Sequence, residues 1–140
     1  MSQALAGEDL VVNGKGTQIR SYCYVDDIVE GIISSLNLSL NDSLIETFNL
    51  GNPNNEIDLV SLADLIIATV GNTNSKVKIM GTFDKTDREE YREIDYRVCD
   101  ISHAQKELNF KPKIQLADAI AKLRSDFVDI PSWPELAYPN

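Results

Sequence analysis

The fold is decided by the stretch Leu10-Val11-Val12-Asn13-Gly14-Lys15-Gly16-Thr17-Gln18-Ile19-Arg20-Ser21-Tyr22-Cys23-Tyr24-Val25-Asp26-Asp27. It opens with a short apolar run, which predicts a strand, and continues through two glycines, which permit positive φ and predict a tight turn. Residues 19–25 are β-branched and aromatic in character and predict a second extended segment. Asp26 or Asp27 can then cap a helix. The apolar positions of that helix recur at helical spacing and are Val29, Ile32, Ile33 and Leu36.

Strand and helix alternate again in the middle of the chain. Residues 47–50 predict a buried strand, which ends at a turn formed by Gly51-Asn52-Pro53. Asp58 is expected to cap the next helix, and Gly71 to end it. One face of that helix carries the apolar residues Leu59, Leu62, Ala63, Ile66 and Val70.

The last third of the chain combines one more strand with two helices. Val77 and Ile79 alternate with lysines and predict a strand, whereas residues 84–97 are charged and predict a loop. Asp100 is expected to cap a short helix, which Pro112 separates from the final one. The inward positions are Ile101, Ala104 and Leu108 in the first of these helices and Leu116, Ile120, Leu123 and Phe127 in the second. This order favours an α/β layer fold.

Composition indicates a globular protein and argues against two classes of partner. The chain of 140 residues is 43% hydrophobic, and no apolar run approaches the roughly 18 residues that cross a bilayer, so we expect no membrane partner. A net charge of −9 has the wrong sign for binding nucleic acid through the general field of the protein. An anionic ligand would therefore need a local cluster of Arg or Lys.

Cysteine and histidine are too few for a disulfide scaffold or a zinc site. Cys23 and Cys99 are the two cysteines and His103 is the one histidine, and we interpret both thiols as inert core residues. The N-terminus has no apolar segment typical of a secretory signal, so a cytoplasmic location is expected. Because Gly7 ends a helix that has hardly begun, we also expect the chain to start inside a larger fold.

Four motifs resemble the NAD-dependent epimerase/dehydratase family, the extended short-chain dehydrogenases that act on nucleotide sugars. Members include UDP-glucuronate decarboxylases, UDP-glucose 4-epimerases and dTDP-glucose dehydratases. The motifs follow the family's order, and they are Gly14–Asp27 (G-x-G-x-Q-x-R-x-[FYW] followed by [YH]-V-x-D), Phe48–Asn52, Leu62–Ile66 and Asp100–Lys113. Together they cover about residues 3–128.

The resemblance implies a partial extended short-chain dehydrogenase fold. Residues 1–130 would form the C-terminal, nucleotide-sugar-binding portion, without the N-terminal Rossmann half, and residues 131–140 an irregular Pro-rich tail. The family's G-x-x-G-x-x-G and Y-x-x-x-K motifs do not occur in this sequence. Gly14-Lys15-Gly16 cannot replace the first, because an extended segment follows it where a dinucleotide turn opens a helix. NAD is thus implied for the full-length enzyme, while for this chain alone we expect no bound cofactor, no catalytic residue and no metal.

Arginines are the principal candidates for binding the diphosphate of a nucleotide sugar, because a guanidinium presents paired donors that match phosphate oxygens. The resemblance implies this role for Arg20, and it places Gln18 of the same motif beside it. Arg97 matches a second family arginine, with Arg92 and Arg88 as rivals, and Glu93 matches an acidic residue that accepts from ribose hydroxyls. A solvated charge run explains residues 88–97 equally well. If the first interpretation is correct, Arg20 and the late loop should meet around one diphosphate.

The base would be bound mainly by backbone groups of Val12 and Asn13, as the resemblance implies. Asn13 stands where the family often has an aromatic residue, so a preference for one base does not follow. Tyr22 and Tyr24 are expected to be half-buried with bonded hydroxyls, and His103 to face solvent in the first turn of its helix.

Two functions remain open from the sequence. The chain is either the nucleotide-sugar-binding part of an NAD-dependent epimerase, dehydratase or decarboxylase, not catalytic alone, or a stand-alone module that binds a nucleotide or pairs with a separate Rossmann subunit. A remnant without function would bind neither nucleotide sugar nor NAD. In the first two cases an apolar face is exposed, and we expect association with the missing half or self-association through it. The sequence leaves open the sugar, the base and the reaction.

Overall fold

The computed structural model describes residues 1–38, 45–71, 73–81 and 94–128. Its elements are α1 (Ser2–Leu5), β1 (Leu10–Val12), β2 (Ile19–Ser21), α2 (Val25–Leu36), β3 (Glu56–Asp58), α3 (Leu59–Val70), β4 (Val77–Ile79), β5 (Tyr96–Arg97), α4 (Ser102–Leu108) and α5 (Leu116–Val128). The tail and three predicted site residues lie outside the described residues, namely 131–140, Arg88, Arg92 and Glu93.

Two small sheets organise these elements. In the first, β1 pairs in parallel with β4, and Val12 lies opposite Ile79. In the second, β2 is central, antiparallel to β3 and parallel to β5. The predicted α/β class is therefore confirmed.

Two apolar clusters make up most of the core in the described part of the chain. The first joins the start of the chain to α3 and consists of Ala4, Leu10, Val12, Ala63 and Val70. The second lies under α4 and consists of Ile101, Ala104 and Phe110, with Phe48, Leu50, Cys99 and Leu108 packed against it. Gly31 admits α2 to this second cluster, because a Cβ there would lie 2.8 Å from Leu50.

Helix ends follow the local sequence in α3. The Ser61 backbone N–H donates to Asp58 Oδ1 at 2.8 Å, and the Ser61 hydroxyl donates to Oδ2 at 2.6 Å. These two hydrogen bonds lower the pKa of the Asp58 carboxyl below its ordinary value. Gly71, at φ +60°, ends the helix. The predicted cap and stop are both confirmed.

The caps predicted for α2 were wrong. Tyr24 occupies the N-cap position without a side-chain hydrogen bond, and both aspartates lie inside the first turn. Asp27 is only 2% exposed and accepts hydrogen bonds at 3.0 Å from the backbone N–H groups of Lys113 and Ile114. The carboxylate thus joins α2 to the segment before α5 instead of capping its own helix.

The strand predicted at residues 47–50 was also wrong. The segment is irregular, and none of its backbone groups makes a backbone hydrogen bond with the described part of the chain. Phe48 and Leu50 nevertheless pack against the second cluster. A strand exists only where a neighbour completes its ladder, and here the described residues supply none.

Three strands differ from the sequence-based expectations. The second extended segment shortens to the three residues of β2, and β3 was not expected, since two of its three residues are acidic. The predicted loop 84–97 ends in β5. Each short strand is defined by its partner across the sheet rather than by its own composition.

The apolar stripe of α2 faces outward. Ile33 is 53% exposed and Leu36 is 79% exposed. The other exposed apolar residues of the helix are Val25, Val29 and Ile32. Among the described residues, no helix combines the length and hydropathy needed to cross a bilayer.

Candidate functional site

Arg20 and Arg97 lie directly opposite each other on the neighbouring parallel strands β2 and β5. Residues that face each other across a ladder project from the same side of a sheet, so both guanidinium groups leave one face. Arg20 is half-buried and donates one N–H to the Ile19 carbonyl at 2.7 Å, whereas Arg97 is exposed. The structure therefore brings together two predicted site residues that are 77 positions apart in the sequence.

Gln18 and Tyr22 flank Arg20 at alternate positions of the same extended segment. Side chains two residues apart in such a segment share a face, which places both beside the arginine pair. Gln18 is 6% exposed, and its amide makes no hydrogen bond with the described part of the chain. A buried amide without a partner is uncommon, because its desolvation is not offset.

The charges of both arginines affect the pKa of the Tyr22 phenol. Burial raises the pKa of Tyr22 above its ordinary value, and the charges of Arg20 and Arg97 oppose that rise. The expectation that its hydroxyl is bonded was wrong, since the phenol oxygen has no hydrogen-bond partner among the described residues. Its position two residues after Arg20 was the sequence feature that could have linked it to the site.

On the opposite face of this sheet, a tyrosine hydroxyl is hydrogen-bonded within the protein. Tyr96 is opposite Ile19 in the ladder, and its hydroxyl donates to Glu56 Oε1 at 2.9 Å. That hydrogen bond is the largest cause of the raised pKa of Tyr96. The two tyrosines of the site region thus differ, because Tyr96 has an acceptor within the protein and Tyr22 does not.

The glycine turn serves packing between elements. A Cβ at Gly16 would lie 2.6 Å from Val60 Cγ2 and 2.9 Å from Val12 Cγ1. The Gly16 carbonyl also accepts the N–H groups of Leu59 and Val60 at the start of α3. The turn leads into β2, not into a helix N-terminus, and its second glycine is filled by the protein itself. The turn therefore lacks the helix N-terminus that holds the pyrophosphate in a dinucleotide-binding turn.

The two residues predicted to bind the base lie at the end of β1. Val12 is buried, and its carbonyl accepts the Met80 N–H at 2.9 Å. Asn13 is exposed just before the turn. The Val12 carbonyl is therefore already hydrogen-bonded within the protein, and Asn13 is the exposed residue of the two.

Three other reactive side chains among the described residues are the two cysteines and His103. Burial is the largest cause that raises the pKa of both cysteine thiols, to about 11 for Cys23. The exposed His103 ring stacks on Phe48 at 5.0 Å between centroids, with Glu46 Oε2 at 3.3 Å from its Nε2. In the described ranges, no three His, Cys, Asp or Glu side chains are grouped so as to hold a metal ion.

The chain is similar in sequence and in fold to several known proteins. UDP-glucuronic acid decarboxylase 3 of Arabidopsis thaliana is 34% identical over 127 residues, which are 91% of this chain and 33% of the relative. UDP-glucose 4-epimerase of Thermotoga maritima, solved with UDP-glucose, superimposes with a TM-score of 0.71 at 23% identity, covering 91% of this chain and 37% of that one. UDP-glucuronic acid 4-epimerase of Bacillus cereus, in complex with UDP-glucuronic acid and NAD, gives the same TM-score and coverages at 22% identity.

These likenesses show the fold of part of an extended short-chain dehydrogenase. The chain spans about a third of the length of the curated relatives it matches. The sequence pattern of the GDP-mannose 4,6 dehydratase family matches residues 1–123. The chain therefore belongs to the GDP-mannose 4,6 dehydratase family, within the NAD-dependent epimerases, dehydratases and decarboxylases of nucleotide sugars.

Proposed function

We propose that this chain is the nucleotide-sugar-binding portion of an NAD-dependent epimerase, dehydratase or decarboxylase. Arg20 and Arg97 bind the diphosphate, and Gln18 and Asn13 line the same site. The observation that carries this proposal is the placement of the two arginines opposite each other on β2 and β5. The names of the relatives favour a UDP-linked sugar as the first ligand to test.

Charge supports a dianionic ligand at the arginine pair. Two guanidinium groups on one sheet face can both donate to the oxygens of one anion. The chain as a whole carries a net charge of −9, so its general field does not attract an anion and local cations have to bind it. A diphosphate presents several oxygens, which suit donors arriving from two strands.

The proposed role is binding and orientation alone. The sequence contains no Tyr-x-x-x-Lys pair for proton transfer, and the glycine turn does not fit a dinucleotide. A bound NAD would supply hydride transfer in the whole enzyme, and the residues of this chain would hold the sugar nucleotide against it. We therefore expect no turnover by the 140-residue chain.

The outward face of α2 favours a partner, and we infer that it pairs with a dinucleotide-binding half. Residues 47–50 support this inference. Phe48 and Leu50 are half-buried, yet the segment makes no backbone hydrogen bond with the described part of the chain. A partner that supplies a neighbouring strand and apolar surface would satisfy both features. Without such a partner, the same surface promotes self-association. A cytoplasmic location stays a prediction.

Calorimetric titration tests the binding proposal. We expect the chain to bind UDP and UDP-glucuronic acid, with weaker binding at higher salt, and not to bind NAD. Arg20→Gln and Arg97→Gln should each weaken UDP binding by about tenfold or more, because a hydrogen bond to a charged group contributes roughly 1.5–3 kcal/mol. Arg124→Gln, an exposed change on α5, is the matched control and should leave the affinity unchanged. Equal losses in all three variants would contradict the assignment of the site.

A further inference from the structure

We propose that Tyr22 is a third ligand-binding residue at the arginine pair, and that its hydroxyl donates a hydrogen bond to an oxygen of the bound diphosphate. This inference rests on the proposed function, because it assigns Tyr22 to the same site. It departs from the sequence-based interpretation, in which the hydroxyl was bonded within the protein.

The backbone of Tyr22 is held in place from one side. Its N–H donates to the Asn55 carbonyl at 3.2 Å, and the Asn55 side-chain amide donates to the Tyr22 carbonyl at 3.0 Å. Asn55 is itself buried and bonds to the Ile114 carbonyl and the Leu116 N–H. The backbone therefore continues in the direction of β2 at Tyr22. Its side chain projects from the face that carries Arg20, since the two residues are two positions apart.

The phenol lacks an acceptor where it lies. Alternation along the strand places the phenol on the sheet face that carries Arg20 and Arg97, and the charges of both arginines oppose the rise in its pKa that burial causes. A guanidinium has donors only and cannot accept the phenolic proton. The described part of the chain offers that hydroxyl no other hydrogen bond. An oxyanion held by the two arginines would supply the missing acceptor.

Tyr96 provides the internal contrast. It stands on the neighbouring strand but on the other face, and its hydroxyl already donates to Glu56. A Tyr→Phe substitution removes the hydroxyl and retains the ring. At position 22 it removes the proposed ligand-binding donor, and at position 96 it removes a donor that is bonded within the protein.

The test compares Tyr22→Phe with Tyr96→Phe in the full chain, with UDP and uridine as probes. We expect Tyr22→Phe to weaken UDP binding by about tenfold, the effect of one hydrogen bond to a charged group, and to leave uridine binding unchanged. Tyr96→Phe should alter neither affinity by more than about twofold. Urea unfolding of both variants verifies that the fold is retained.

Each outcome decides between the proposals. If wild-type chain binds UDP and loses affinity in Arg20→Gln, but Tyr22→Phe binds UDP as tightly as wild type, the role of Tyr22 is refuted and the proposed function stands. A parallel loss of uridine binding in Tyr22→Phe would also refute it, because the effect would not concern the phosphates. Absence of UDP binding by the wild-type chain would overturn both proposals.

Discussion

Gly16 and Val60 meet where the turn after β1 packs against the first turn of α3, and a Cβ at position 16 would lie 2.6 Å from Val60 Cγ2. Gly16 also has φ +73°, a conformation that costs other residues about 1–2 kcal/mol. Gly16→Ala should therefore destabilise the chain by about 3 kcal/mol, the sum of backbone strain and overpacking. Urea unfolding measures this loss.

Gly7 is the matched control for that substitution. Its φ of +76° is nearly the same, but a Cβ there would meet nothing within 4 Å. Gly7→Ala should therefore cost about 1 kcal/mol, the backbone part alone. Equal losses in the two variants would show that the contact with Val60 does not constrain position 16.

Asp27→Asn should destabilise the chain by about 1–3 kcal/mol. Both carboxylate oxygens accept backbone N–H groups, from Lys113 and Ile114, in a site that is almost fully buried. An asparagine has one acceptor oxygen and would leave one buried N–H without a partner. Urea unfolding at neutral pH measures the change. Asp26→Asn, an exposed change one residue earlier, should cost less than about 1 kcal/mol, and a similar loss in both variants would contradict the bridging role.

Sequence predicted the parts of the fold that depend on local interactions. Asp58 and Gly71 bound α3 as expected, because a cap bonds within one turn and a left-handed stop is a property of one residue. The strand at 47–50 and the caps of α2 failed because their partners are distant. A strand needs a neighbouring strand, and Asp27 needs the backbone N–H of residue 113. Neither partner can be identified from the sequence next to the residue concerned.

The candidate site shows the same division. Arg20 and Arg97 could be named from the resemblance, but their register opposite each other depends on the β2–β5 ladder. The unbonded hydroxyl of Tyr22 could not be predicted, since whether a phenol finds an acceptor is decided by tertiary neighbours. Alternation along the strand gave its face and nothing more.

The Asp58 cap predicts a pH-dependent contribution to stability. The folded pKa of Asp58 lies below its ordinary value, so the carboxylate stabilises the chain above the unfolded pKa and loses this contribution as pH falls through the folded pKa. At neutral pH, Asp58→Ala should cost about 1 kcal/mol, and the difference from wild type should shrink below about pH 4. Unfolding curves at several pH values measure this. Asp58→Asn keeps an acceptor oxygen without titrating and is the control for the charge. If the difference in free energy of unfolding between wild type and Asp58→Ala grew in acid, the assignment would be contradicted.

The cysteine thiols should react slowly while the chain is folded. The pKa of Cys23 is raised to about 11, first by burial and then by the nearby carboxylate of Asp27 and the thiol of Cys99. At pH 8 its thiolate fraction is then roughly two orders of magnitude below that of an ordinary cysteine. Ellman's reagent should therefore modify Cys23 in a Cys99→Ser variant slowly in buffer and rapidly in urea. Equal rates in the two solutions would contradict the environment described for Cys23.

The exposed stripe of α2 should control association of the chain. Ile33 and Leu36 lie in its second half, where cations also interact favourably with the helix dipole, so Ile33→Lys with Leu36→Lys should not disturb the helix. We expect sedimentation velocity to show wild-type association that increases with concentration, and a monomer for the double variant. The free energy of unfolding should change by less than about 0.5 kcal/mol, because both side chains are exposed. Ala121→Lys with Ser125→Lys adds the same charge to exposed positions of α5 and should associate like wild type. A wild-type chain that stays monomeric at every concentration would remove the reason to assign a partner to this surface, whereas dissociation of both double variants would show that charge alone controls the association.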